Sequence, residues 1–193
     1  MNELYRGGVE DKMVHRIDQK AFRREHRMEL EGQGPVTEQL VVDFLNNEIP
    51  GLTARYSTRA EDHGIEIGGK EIDVVAYLEG KPAMAFQVTS QFQKGELARK
   101  RDHARDYPFV RLQELKNQDP AIPRVSLVLE ALEVSNFAKN PNFAAHPELA
   151  IKILDRILLN LEFDLRKTAN PIEQTAVKKL IPIFEETKRR FIH

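Results

Sequence analysis

Two runs of β-branched and aromatic residues, separated by one glycine turn, constrain this chain more than any other feature. They occupy Gly69-Lys70-Glu71-Ile72-Asp73-Val74-Val75-Ala76-Tyr77-Leu78-Glu79-Gly80-Lys81-Pro82-Ala83-Met84-Ala85-Phe86-Gln87-Val88-Thr89-Ser90. Such a pattern reads as a β-hairpin whose side chains alternate between two faces. With Glu79-Gly80-Lys81 as a three-residue loop, Leu78 pairs with Pro82 and Asp73 comes opposite Gln87. Glu71 and Thr89 follow on that polar face, while Ile72, Val74, Leu78, Met84, Phe86 and Val88 turn to the other. Register carries the argument, because a slip of one residue would send Asp73 and Gln87 to different faces.

Around the hairpin the pattern changes to helix. Gly32-Gln33-Gly34-Pro35 breaks the preceding segment, and Pro35 opens a helix to about Asn47 with Val36, Leu40, Val41, Phe44 and Leu45 on its buried side. Ile49-Pro50-Gly51 ends it. Leu52 to Thr58 reads as a strand, Gln93 to about Tyr107 as a helix, and Arg124 to Val134 as an inner strand buried on both faces, with Val128 and Leu132 on the second. From Pro147 onward the chain is helical. Leu149, Ile153, Leu154, Ile157, Leu158 and Leu161 form one broad apolar face. Asn170-Pro171-Ile172-Glu173 then starts a second helix, with Glu173 placed to bond back to the cap. This last helix carries Val177, Leu180, Ile181, Phe184 and Phe191, and Pro182 is expected to kink it. Upstream, Glu10 to Glu31 is crowded with charge around a thin stripe of Met13, Ile17, Ala21 and Met28, as in a charged helix. The expected organisation is an arm over 1–34, an α/β core over 35–138 and a C-terminal helical hairpin over 139–193.

Lys+Arg 29 against Asp+Glu 30 leaves a formal net charge of -1 over 193 residues, so any nucleic-acid surface must be a local patch rather than a global field. Cysteine is absent, which excludes disulfides and thiolate metal sites. No apolar run is long enough to cross a bilayer, and the N-terminal residues are too charged for a signal peptide. A soluble cytoplasmic protein with no membrane partner is expected. The six histidines show no metal-ligand spacing. His63, within Glu61-Asp62-His63-Gly64, falls on a loop before the hairpin, and a simple turn is its default reading. No phosphate-binding glycine loop or nucleophile elbow is present.

Over about Pro35 to Val134 the sequence resembles the PD-(D/E)XK nuclease superfamily, especially its restriction-enzyme-like and Holliday-junction-resolvase-like members. The family pattern is a helical Glu, a strand Asp, and a following strand ending in Glu or Gln, any residue, Lys. Glu38, Asp73 and Gln87-Val88-Thr89 match it, with Thr89 in the place of the lysine. The resemblance implies a restriction-endonuclease-like α/β core of order α-β-β-β-α-β with a mixed sheet. It also implies Mg2+ or Mn2+ as cofactor, held by Asp73, the Gln87 amide oxygen and the Val88 carbonyl, with Glu38 on a metal-bound water. Oxygen ligands of this kind suit a hard cation. In the family the lysine orients the attacking water and offsets charge on the phosphate. For its replacement three readings stand: a lysine from elsewhere (Lys94 or Lys100 before Lys70), the metal alone, or an inactive site.

Basic residues follow the hairpin directly. Lys94, Arg99, Lys100 and Arg101, with His103, Arg105 and Arg111 beyond, would line the mouth of a nucleic-acid site if the resemblance holds. Otherwise they belong to a solvated helix with Glu96, Asp102 and Asp106 as partners. Lys20, Arg23, Arg24, His26 and Arg27 carry the same two readings. The expected function is metal-dependent phosphodiester hydrolysis on nucleic acid. The alternatives are an inactive module of that fold binding nucleic acid or protein, and a homodimer or interaction protein built on the helical ends.

Overall fold

Pro35 lies in the first turn of α1 (Gln33–Glu48), where its missing N–H costs the helix nothing. The structure is a computed structural model that describes residues 33–57, 64, 72–91, 108–113 and 121–192. Two compact units divide the chain, Met1–Gln33 and Gly34–His193, and the architecture that follows is that of the second. The expected N-terminal helix and the helix from Gln93 to Tyr107 lie outside the described residues.

Leu40, Val41, Phe44 and Leu45 bury the inner side of α1 against the sheet, whereas Val36, one turn ahead of them, is 42% exposed. The Arg190 guanidinium donates to the Glu48 carbonyl, satisfying a backbone acceptor that the helix end leaves open. Five strands follow: β1 (Leu52–Tyr56), β2 (Val74–Leu78), β3 (Lys81–Gln91), β4 (Phe109–Val110) and β5 (Ile122–Glu130). They form one mixed sheet in the order β1-β2-β3-β5-β4, antiparallel throughout except for the parallel pair β3/β5. A parallel neighbour cannot be reached by a tight hairpin turn, and β3 and β5 are correspondingly far apart in sequence. On one face Val74, Ala76, Met84, Phe86, Val88, Val125, Leu127 and Leu129 pack with the helices in the main core. Val75, Tyr77, Ala85, Val110, Leu112 and Ile122 form a smaller cluster on the other. Ile72 joins that smaller cluster, contrary to its expected face, because regular pairing of β2 begins only at Val74.

The hairpin reaches its expected register by a different route. Its turn is the two-residue Glu79-Gly80, both with positive φ (53° and 75°), so Leu78 pairs with Lys81 and Tyr77 with Pro82. Continued unchanged, that ladder would set Phe86 opposite Asp73. A β-bulge between Ala76 and Tyr77 instead absorbs Ala83, and from there Ala76 pairs with Met84 and Val74 with Phe86. Burial dictates the correction: only this register puts Met84 and Phe86 on the same face as Ala76 and Val74. The next step along brings Asp73 beside Gln87.

On the outer edge, the Asn46 side chain accepts from Ala54 N at 2.7 Å and donates to Ala54 O at 3.0 Å. It thereby occupies backbone groups of β1 that would otherwise invite another strand.

β5 ends sooner than its apolar run suggested. At Glu130 the chain turns into α2 (Ala131–Lys139), held by a capping box in which the side chains of Glu130 and Glu133 each meet the other's backbone. Leu132, expected on a buried strand face, consequently lies on the outer side of a helix and is 55% exposed. Lys152 locks this corner at 2.8 Å from Glu133 and 3.0 Å from Glu130.

After a 3-10 turn at Phe143–Ala145 come the long helices α3 (Pro147–Lys167) and α4 (Pro171–Ile192). Leu154, Ile157 and Leu161 from α3 and Val177, Leu180 and Phe184 from α4 enter the same core as the sheet. Asn170 caps α4 as expected by accepting from Ile172 N at 3.0 Å, but Glu173 accepts from the Thr168 hydroxyl at 2.5 Å instead of bonding back to the cap. α4 continues through Pro182. No helix among the described residues is long and apolar enough to cross a membrane.

Candidate functional site

At the start of β2 the chain bends, and this bend aims Asp73 across the hairpin. Its Oδ2 accepts from the Gln87 side-chain Nε2 at 2.5 Å and from the Val88 backbone N–H at 2.6 Å. Asp73 and Gln87 are both half-buried. Within an extended strand the N–H and C=O of one residue point to the same edge, so the Val88 carbonyl is directed toward the side from which Asp73 approaches.

The bend is held by backbone hydrogen bonds on either side of it. Ser57, just past β1, donates its N–H to the Asp73 carbonyl at 3.3 Å, and Ile72 donates to the Gly64 carbonyl at 3.0 Å. Gly64 holds φ +67, and a Cβ there would lie 1.8 Å from Ser57 Oγ. Only glycine fits this close approach. Sequence reasoning set Gly64 in a turn but did not connect it with Asp73. The signal available was a glycine some residues before a strand acid, with Gly68 and Gly69 closer to it, and glycines are common in turns of every kind.

Glu38 comes from α1. It is half-buried and, with Asp43, raises the pKa of the Tyr56 hydroxyl, although burial of the phenol is the larger cause. Tyr56 pairs with Val74, immediately after Asp73. The negative charge of Glu38 therefore bears on the end of β1 that adjoins the Asp73 bend. The Tyr56 hydroxyl donates to Gln39 Oε1, and Gln39 Nε2 donates to Asp43 Oδ1 at 2.7 Å, giving a short polar chain along α1. Tyr56, Gln39 and Asp43 were not foreseen as neighbours of the site, since nothing in their spacing joins a helix to a strand end.

Thr89 pairs with Val128 one residue pair beyond Val88 and Leu127, and is half-buried. Its hydroxyl carries no charge. Ser126 stands opposite Gln87, and Arg124, 6% exposed, opposite Ala85. Lys94, Arg99, Lys100, Arg101, Lys70, Glu71 and His63 lie outside the described residues.

Among the described residues, no three His, Cys, Asp or Glu side chains gather into a group able to hold a metal. Among the described residues, the oxygen donors at the bend include the Asp73 carboxylate, the Gln87 amide and the Val88 carbonyl. In kind they fit a hard divalent cation that retains much of its water. For Gln87 to contribute oxygen its amide must turn over, exchanging Nε2 for Oε1, because its nitrogen faces Asp73. Such an exchange leaves the shape of the side chain unchanged.

No family model, curated protein or solved structure matches the chain.

Proposed function

We propose that this protein is a PD-(D/E)XK-like protein acting on nucleic acid, with a metal-dependent phosphodiesterase site at the Asp73 bend. The observation that carries this reading is the convergence of the Gln87 amide and the Val88 N–H on one Asp73 oxygen, at 2.5 and 2.6 Å. The chain order of α1, β1, β2 and β3, then β5 parallel to β3, supports the restriction-endonuclease-like core.

Asp73 would be the direct ligand, fixed by the backbone bonds of Ser57 and Ile72 on either side. Gln87, turned over, presents its amide oxygen, and the Val88 carbonyl completes the protein's donors. Glu38 holds water on the α1 side. Bound magnesium or manganese would polarise the scissile phosphate and lower the pKa of the attacking water. Since Thr89 brings no cation, Lys94 or Lys100 would supply the positive charge that offsets the charge developing on the phosphate. Arg99 and Arg101 with these lysines contact the phosphate backbone and give a salt-dependent affinity.

The neutral Thr89 hydroxyl favours a second reading, a binding module of the same fold that does not turn over substrate. Incubation of mixed DNA and RNA substrates with magnesium or manganese separates the two. Cleavage by the wild type that falls about a hundredfold or more in Asp73→Ala supports the phosphodiesterase. Cleavage that survives Asp73→Ala overturns the site, and binding without cleavage supports the module.

A further inference from the structure

The α3–α4 hairpin has two sides, and the sheet uses only one of them. While Leu154, Ile157, Leu161, Val177, Leu180 and Phe184 enter the core, an open groove of about 600 Å³ runs along the outward side. From α3 it is lined by Asp155, Leu158, Leu159 and Glu162. From α4 it is lined by Glu185, Lys188, Arg189 and Ile192. Each set follows the spacing i, i+3, i+4, i+7, so each helix presents a straight two-turn stripe, the pattern by which helices pack side by side. Leu159 is 58% and Ile192 56% exposed, far more than the monomer's own core requires.

Charge selects the occupant. The α3 stripe carries only acids, Asp155 and Glu162, whereas the α4 stripe carries Lys188 and Arg189 beside Glu185. A two-fold axis along the groove lays each α3 on the α4 of a second copy, acidic edge to basic edge, and encloses the leucines and Ile192 between them. The charges now pair within the chain or along one helix, Lys188 with Asp155 at 2.6 Å, Arg189 with Glu186 at 2.6 Å and Arg166 with Glu162 at 3.3 Å. Pairs of this kind, exposed or half-exposed, exchange partners at little cost. We propose that the outward face of the α3–α4 hairpin is a self-association surface, on which two copies of this chain form a four-helix bundle.

Sedimentation velocity on the full chain tests this. At about 100 µM the wild type should run at twice the monomer mass, and Leu159→Arg should weaken association at least about tenfold. Reversing one edge at a time provides the sharper result. Asp155→Lys/Glu162→Lys makes both edges basic and Lys188→Glu/Arg189→Glu makes both acidic, so each variant alone should be monomeric. Mixed, they should form a one-to-one heterodimer. Far-UV circular dichroism confirms that each variant is folded, and where one is not, Leu159→Arg decides. The proposal is overturned by a monomeric wild type or by a dimer that persists in Leu159→Arg and both edge variants.

Discussion

Asp73 and Gln87 meet across the hairpin at 2.5 Å, although the turn that joins their strands is one residue too short to bring them together by itself. The bulge at Ala83 supplies the missing step. A packing requirement, the burial of Met84 and Phe86, thus sets the geometry of a polar pair on the opposite face. Any activity at Asp73 depends on this bulge as much as on the carboxylate.

The turn itself leaves room for improvement. Glu79 adopts φ 53°, a left-handed conformation that asparagine tolerates better than glutamate. Glu79→Asn should raise stability by about 0.5–1 kcal/mol in urea denaturation, with the slope unchanged. A fall in the midpoint would show that the turn is not of this type in solution.

Gly64→Ala should act in the opposite direction. The new Cβ must displace Ser57, whose N–H fixes the Asp73 carbonyl, and alanine disfavours φ +67. A loss of about 2–3 kcal/mol is expected, together with a shift of the Val88 amide resonance as its bond to Asp73 changes. An unchanged midpoint and an unchanged Val88 resonance would remove Gly64 from the account of the site.

These elements were not equally legible in the sequence. Alternation supports setting Asp73 against Gln87, because only that register buries both apolar sets, whereas the three-residue loop expected between the strands is a two-residue turn. The route to that register was not readable, since a three-residue loop and a two-residue turn with a bulge place the same pairs together. β5 and α2 merged into one apolar run, as the capping box of Glu130 and Glu133 leaves the hydrophobic pattern unbroken across the boundary. β4, only two residues long, has too little pattern to announce itself. At the site, Glu38 and Asp73 enter only through the resemblance to the nuclease superfamily, whereas Tyr56, Ser57 and Gly64 enter through contacts between distant segments that no local pattern records.

Asp164 gives the fold a pH dependence unconnected with the site. It is 2% exposed near the end of α3, and burial pushes its carboxyl from 3.8 up to about 8. In the unfolded chain it ionises at the ordinary value. Between these two pH values unfolding releases a proton, so stability falls as pH rises and levels off above about 8. Asp164→Asn should therefore be more stable than the wild type by a few kcal/mol at alkaline pH, and close to it at pH about 3. Thermal melts across this range would contradict the assignment if the difference did not grow with pH.

The most direct measurement of the central claim is the paramagnetic effect of Mn2+ on the backbone amides, followed by NMR in the wild type and in Asp73→Ala. The Val88 amide, 2.6 Å from Asp73 Oδ2, should broaden at substoichiometric metal along with the Gln87 side-chain amide, and both should stay sharp in the variant. Broadening that is absent from Val88 in the wild type, or that persists unchanged in Asp73→Ala, would contradict a metal site at this bend.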